Sequence, residues 1–163
     1  MTLFAGVNES ASRAFTLAEG VAAELVAAYE ELDVAAPDRR YVWFSTPAVD
    51  CEQLVVSFTR IYTGIPSQEG NEPQYGNLVQ RVVEMRIEVH RCVPVVDESG
   101  TPPEPVAMQA AAETLINDAW VVRRALEAYP TVIGQLKSVG TQEPIEAQGG
   151  FAGFSQVFSL GLP

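Results

Sequence analysis

Residues Val82 to Val93 read V-V-E-M-R-I-E-V-H-R-C-V, and this alternation constrains the fold more than any other stretch of the chain. Val83, Met85, Ile87 and Val89 fall on one face, Glu84, Arg86, Glu88 and His90 on the other, the period-two pattern of a half-buried strand with one wet face. Cys51 to Tyr62 alternates likewise, with Leu54, Val56 and Phe58 opposed to Gln53, Ser57 and Thr59. Joining the two as an antiparallel hairpin restricts the register, because a one-residue slip turns one strand inside out. One allowed register sets Val56 opposite Ile87, Phe58 opposite Met85, Ser57 opposite Arg86, Gln53 opposite His90 and Cys51 opposite Cys92. A two-residue slip keeps the faces and removes the cysteine pairing.

Helical periodicity brackets this hairpin. From about Ser10 to Leu32, Phe15, Ala18, Ala22, Leu25, Tyr29 and Leu32 recur at steps of three and four, with Ser10 or Ser12 available as N-cap and Pro37 as a limit. Gly20 inside this helix marks a close crossing or is simply tolerated. A second helix is predicted over Pro105 to Tyr129, with Met108, Ala111, Leu115, Ala119, Val122, Leu126 and Tyr129 on one stripe and Pro130 ending it. Arg40 to Ser45 is aromatic and β-prone, a short edge strand or extended arm. Tyr41, Trp43 and Phe44 then either cover one end of the core or form a subunit contact.

Residues Thr63 to Asn77 are rich in Gly, Pro, Asn and Gln and lack periodicity, so a long hairpin loop is expected there as a partner contact, carrying Thr63, Ile65, Gln68, Glu69 and Tyr75. Asp97-Glu98-Ser99-Gly100 reads as a turn. Ser138 to Gln148 and Phe151 to Leu162 read as a final hairpin around Gly149-Gly150, with Phe154, Phe158, Leu160 and Leu162 on one face. The expectation is an α+β fold, a mainly antiparallel sheet of about four to five strands packed against two long α-helices in the order α-β-β-β-α-β-β. A single domain spanning residues 1–163 is expected from the length.

Ten Lys and Arg against 21 Asp and Glu give a net charge of −11, which disfavours tight phosphate-mediated binding of nucleic acid. The N-terminus lacks the basic and apolar regions of an export signal, and no apolar run is long enough for a bilayer, so a soluble protein without membrane contact is expected. His90 is the sole histidine. Cys92 lies two residues along the same strand, roughly 7 Å away and too far for direct proton transfer, so His90 reads as an ordinary surface group. Glu84, Arg86, Glu88 and Arg91 read as cross-strand ion pairing rather than an acid/base set. Glu30-Glu31-Asp33 and Asp97-Glu98 lack the spacing of a calcium loop, and Cys51 and Cys92 are expected as buried or half-buried thiols. No catalytic, cofactor or metal residues are expected, which leaves function to the surfaces.

The blocks C-E-Q-L-V-V-S-F-T-R-I-Y-T-G at Cys51 to Gly64, M-R-I-E-V-H-R-C-V-P-V-V-D-E-S-G-T-P-P at Met85 to Pro103, A-A-A-E-T-L-I-N-D-A-W at Ala110 to Trp120 and Q-G-G-F-A-G-F at Gln148 to Phe154 carry a resemblance. In order and spacing they resemble the tail terminator, or tail completion, proteins of long-tailed phages infecting actinobacteria, over roughly residues 50 to 162. The resemblance implies a structural virion protein at the tail neck, assembled in the host cytoplasm. It implies a homo-oligomeric six-membered ring that caps the tail tube protein, meets a head-closure or connector protein and lets genomic DNA pass through its lumen. Tyr41, Trp43, Phe44, the 63–77 loop and the Glu84/Arg86/Glu88/His90 face are the candidate interfaces. A head-closure or connector protein is the nearer alternative. A small-molecule-binding or enzymatic α+β domain is the farther one, favoured by a pocket holding His90 with Cys51 or Cys92.

Overall fold

Alternation in the two central strands produces the expected hairpin in the expected register. In a computed structural model describing residues 3–66 and 80–162, β2 (Gln53–Gly64) pairs antiparallel with β3 (Gln80–Cys92). Gln53 faces His90, Val56 faces Ile87, Ser57 faces Arg86 and Phe58 faces Met85. Beyond Phe58 the register shifts at a bulge, so that Arg60, and not Thr59, stands opposite Glu84. Strand β2 also runs through Thr63 to Gly64, residues expected in the loop. Gln68, Glu69 and Tyr75 lie outside the described residues.

Around this pair the chain order is α1 (Leu3–Glu31), β1 (Arg39–Trp43), β2, β3, α2 (Pro105–Ala128), β4 (Lys137–Gln148) and β5 (Phe151–Gly161). The fold is α+β, and its five strands lie in the order β1-β2-β3-β5-β4. Every neighbouring pair is antiparallel except β1 with β2, which run parallel. A parallel pair needs a crossover rather than a tight turn. Residues 44–52 supply it, tied to the sheet where the Gln53 amide donates to the Ala48 carbonyl at 3.1 Å. Gly149 and Gly150, with φ of 56° and 89°, form the turn between β4 and β5, a conformation that glycine adopts without steric cost.

Both helices lie on one sheet face, α1 over β1 and β2 and α2 over β3, β4 and β5. Between them Leu54, Val56, Val83, Met85, Ile87, Val89, Phe154, Phe158 and Leu160 form the apolar core with the helices. Helix α1 buries Ala14, Ala18, Val21, Leu25 and Tyr29, the expected stripe turned slightly, and Phe15 is left 47% exposed. It begins at Leu3, so neither Ser10 nor Ser12 caps it. Gly20 does mark a close crossing, since a Cβ there would stand 3.2 Å from the Tyr129 hydroxyl. Helix α2 buries Asp118, Val121, Val122, Ala125 and Leu126, while Met108 from the expected stripe is exposed because the first half of α2 extends past the core. Lys137 closes the C-terminal end of α2, donating to the Glu127 and Tyr129 carbonyls at 2.6 and 2.7 Å.

Candidate functional site

The second face of the sheet is not wet. Glu84, Glu88 and His90 are buried, His90 to 1% exposure, and only Arg86 of that set reaches solvent. The crossover 44–52 accounts for part of this, since it meets Gln53 directly across from His90. Glu84 accepts two hydrogen bonds from Arg60, whose guanidinium pKa they raise. His90 Nε2 lies 3.2 Å from Glu88 Oε2, and its ring meets Phe151 edge-on, a packed group and not a surface one. Cys51 and Cys92 are joined in a disulfide, so the expected thiols are absent and no Cys-His nucleophile exists here. The register sets them opposite each other at the end of the hairpin. The bond ties the end of the crossover to β3.

Arg91 points to the helix side of β3, as its place in the alternation requires, away from the polar set with which its charge grouped it. Its guanidinium donates to both Asp118 oxygens at 2.8 Å, to Glu52 Oε2 at 2.8 Å and to the Ala35 carbonyl at 2.5 Å. Burial works against its charge, but the bonds to Asp118 and Glu52 outweigh that and hold its pKa above the ordinary arginine value. Glu52 reaches Arg91 from a left-handed backbone, φ 57°, and its other oxygen accepts from the Cys92 amide at 3.1 Å. This cluster joins α2, β3, the crossover and the α1–β1 connection. It is a structural clamp with every charge partnered.

Strand β1 ends at Trp43, opposite Ser57, so β2 continues from Phe58 to Gly64 without a β1 neighbour. Beside that step lies a groove of about 870 Å³ lined by Phe15, Trp43, Phe44, Phe58, Arg60, Ile61, Arg86 and Glu88 among others. Phe44 is 83% exposed and Trp43 53%, so these aromatics do not cover an end of the core. Phe44 leans on Phe58 with ring centroids 6.4 Å apart, and Ser45, which follows it with φ 114°, joins Thr46 in the groove lining. Tyr41, on the same face of β1 as Trp43, is half-buried, meets the Trp43 ring edge-on with centroids 6.3 Å apart and donates to Gln53 at 3.2 Å. Burial raises its pKa.

On the opposite flank α2 shows a second apolar stripe. Val106, Ile116 and Trp120 are 79%, 68% and 64% exposed. At 100° per residue they share a sector of about 80° with Glu113, on the side of the helix away from Asp118, Val121 and Ala125. Such a helix is apolar on two faces and has only one of them covered.

Of the sequence-predicted residues, Trp43, Phe44, Arg86 and Glu88 meet at the groove. Glu84 and His90 are internal, Tyr41 lies beside them, and exposed Thr63 and Ile65 lie at the far end of β2. The groove includes neither His90 nor either cysteine, so the pocket that would have favoured the small-molecule reading is not formed there. Sequence reasoning missed Phe15, which it placed in the core, and Trp120, a large aromatic lying off the core stripe of its own helix. That offset was the available signal. Among the described residues no group of His, Cys, Asp and Glu could hold a metal ion, and no helix is long and apolar enough to cross a membrane. No protein-family model matches the chain, and no curated protein matches it.

Proposed function

We propose that this chain is a structural virion protein of the tail terminator kind, closing as a ring on the head-proximal end of a phage tail tube. The ring ends tube polymerisation and presents its other side to the head connector. One observation carries the reading beyond sequence resemblance: two unlike apolar surfaces stand on opposite flanks, the groove beside Phe44 and the α2 stripe around Trp120. A cyclic, head-to-tail assembly requires two different patches on each subunit. The net charge of −11 suits a lumen through which DNA slides, because like charge repels the phosphates.

Negative-stain imaging of the purified protein, alone and mixed with tail tubes of the same phage, tests this. Six-fold rings, or caps at one tube end with growth arrested, are the expected result. A protein that ignores tubes and binds portal complexes would be a connector instead, and one that ignores both would lose the virion assignment.

A further inference from the structure

We infer that the groove at the β1–β2 edge receives the outward stripe of α2 from a second copy of this chain. This rests on the ring-forming half of the reading above and names the two surfaces that meet. The groove is walled by Phe15, Phe44, Phe58 and Ile61, and two arginines, Arg60 and Arg86, stand in its lining. Arg60 is held by Glu84, whereas the Arg86 side chain is exposed and makes no salt bridge among the described residues. Glu88, the acid of the lining, is turned to His90. The site therefore offers apolar walls and one available positive charge. The stripe offers the complement: Val106, Ile116 and Trp120 as apolar knobs, with the exposed carboxylate of Glu113 between them.

An amphipathic helix laid into an apolar groove is a recurrent mode of recognition, anchored by residues three and four apart. Ile116 and Trp120 have that spacing, and tryptophan is the residue type that most often dominates such contacts. The groove lies beside β2 at one end of the sheet, while α2 lies over β5 and β4 at the other. Neither surface can therefore reach its complement within one chain. Contact between copies is heterologous, and each added copy leaves one groove and one stripe open until a ring closes.

Mixing two variants separates this contact from any other mode of self-association. Phe44→Ser combined with Arg86→Glu disables the groove, and Ile116→Ser combined with Trp120→Ser disables the stripe. All four positions are exposed, so both variants are expected to keep the wild-type unfolding midpoint. In sedimentation velocity each variant alone stays monomeric, with association weakened about thirty-fold or more, as loss of a central aromatic anchor produces. Mixed in equal amounts they form a dimer and nothing larger, because one intact groove meets one intact stripe. Wild-type rings that persist in either variant, a mixture that yields no dimer, or a wild-type chain that stays monomeric both in solution and at tube ends would each overturn the inference. Rings that persist in both variants and still cap tubes would leave the terminator reading standing. Groove-to-helix dimers from a protein that never caps tubes would support the contact and remove that reading.

Discussion

The clamp around Arg91 and the groove around Phe44 break the usual partition of side chains in opposite directions. At the clamp, charge is inside: Asp118 is fully buried, yet both its oxygens are taken by Arg91, and Glu52 and the Ala35 carbonyl complete the set. At the groove, aromatic surface is outside, and Phe44, 83% exposed, leans on Phe58. Buried charges that find all their partners in the same chain serve the fold. Exposed aromatics whose chain supplies no cover point to association. The two regions should therefore respond oppositely when damaged, the first in stability and the second in assembly.

The largest effect is expected at the clamp. Asp118→Ala leaves the Arg91 guanidinium buried with its strongest partner gone, a loss of about 3–5 kcal/mol in unfolding free energy measured by denaturant titration. Arg91→Met together with Asp118→Leu should recover most of it, since neutral side chains of similar size leave no fully buried charge unpaired, and the Glu52 carboxylate that loses Arg91 is partly exposed to water. If the single and double variants lose the same amount, the clamp acts through packing and the contrast with the groove weakens. Next comes the disulfide, which spans a sequence separation of 41 residues. Replacing Cys51 and Cys92 with serine should cost about 2–4 kcal/mol, chiefly by freeing the unfolded chain. Proteolysis of the variant should open the 44–52 crossover before the helices.

A smaller effect is expected at high pH, from Tyr29. Its hydroxyl is buried beside Asp118 without closing a hydrogen bond to a partner, and burial first, then the Asp118 charge, raises its pKa well above the ordinary value of 10.0. Below that value both folded and unfolded states keep the proton, so the advantage is fully present. Above it only the unfolded chain releases the proton, and stability falls by about 1.4 kcal/mol per pH unit. Thermal melts across that range should show this slope in the wild type, and Tyr29→Phe should lose Tyr29's share of it. An unchanged slope in the variant would place the alkaline loss elsewhere.

The hairpin register was legible to within a two-residue slip, because both strands alternate and a one-residue slip would turn Met85 and Ile87 out of the core. The bulge at Thr59 was not, since one extra residue leaves the pattern on each side intact. Burial of Glu84, Glu88 and His90 was also invisible. Alternation tells which residues share a face but not whether the 44–52 crossover will come back over it. The disulfide was half legible: one of the allowed registers opposed Cys51 and Cys92, while the choice between thiol and disulfide rested on an assumed compartment. The aromatic surfaces divided in the same manner. Trp43 and Phe44 stood out by composition alone, whereas Phe15 fitted the core periodicity of α1 and fell outside it by a small rotation of the helix.

The most direct measurement pairs an unfolding titration with sedimentation velocity on the single variant Phe44→Ser. The unfolding free energy should stay within about 0.5 kcal/mol of wild type, as for a surface position, while self-association weakens about thirty-fold. A variant that loses stability and assembles normally would contradict the claim, because Phe44 would then serve the fold as Arg91 does.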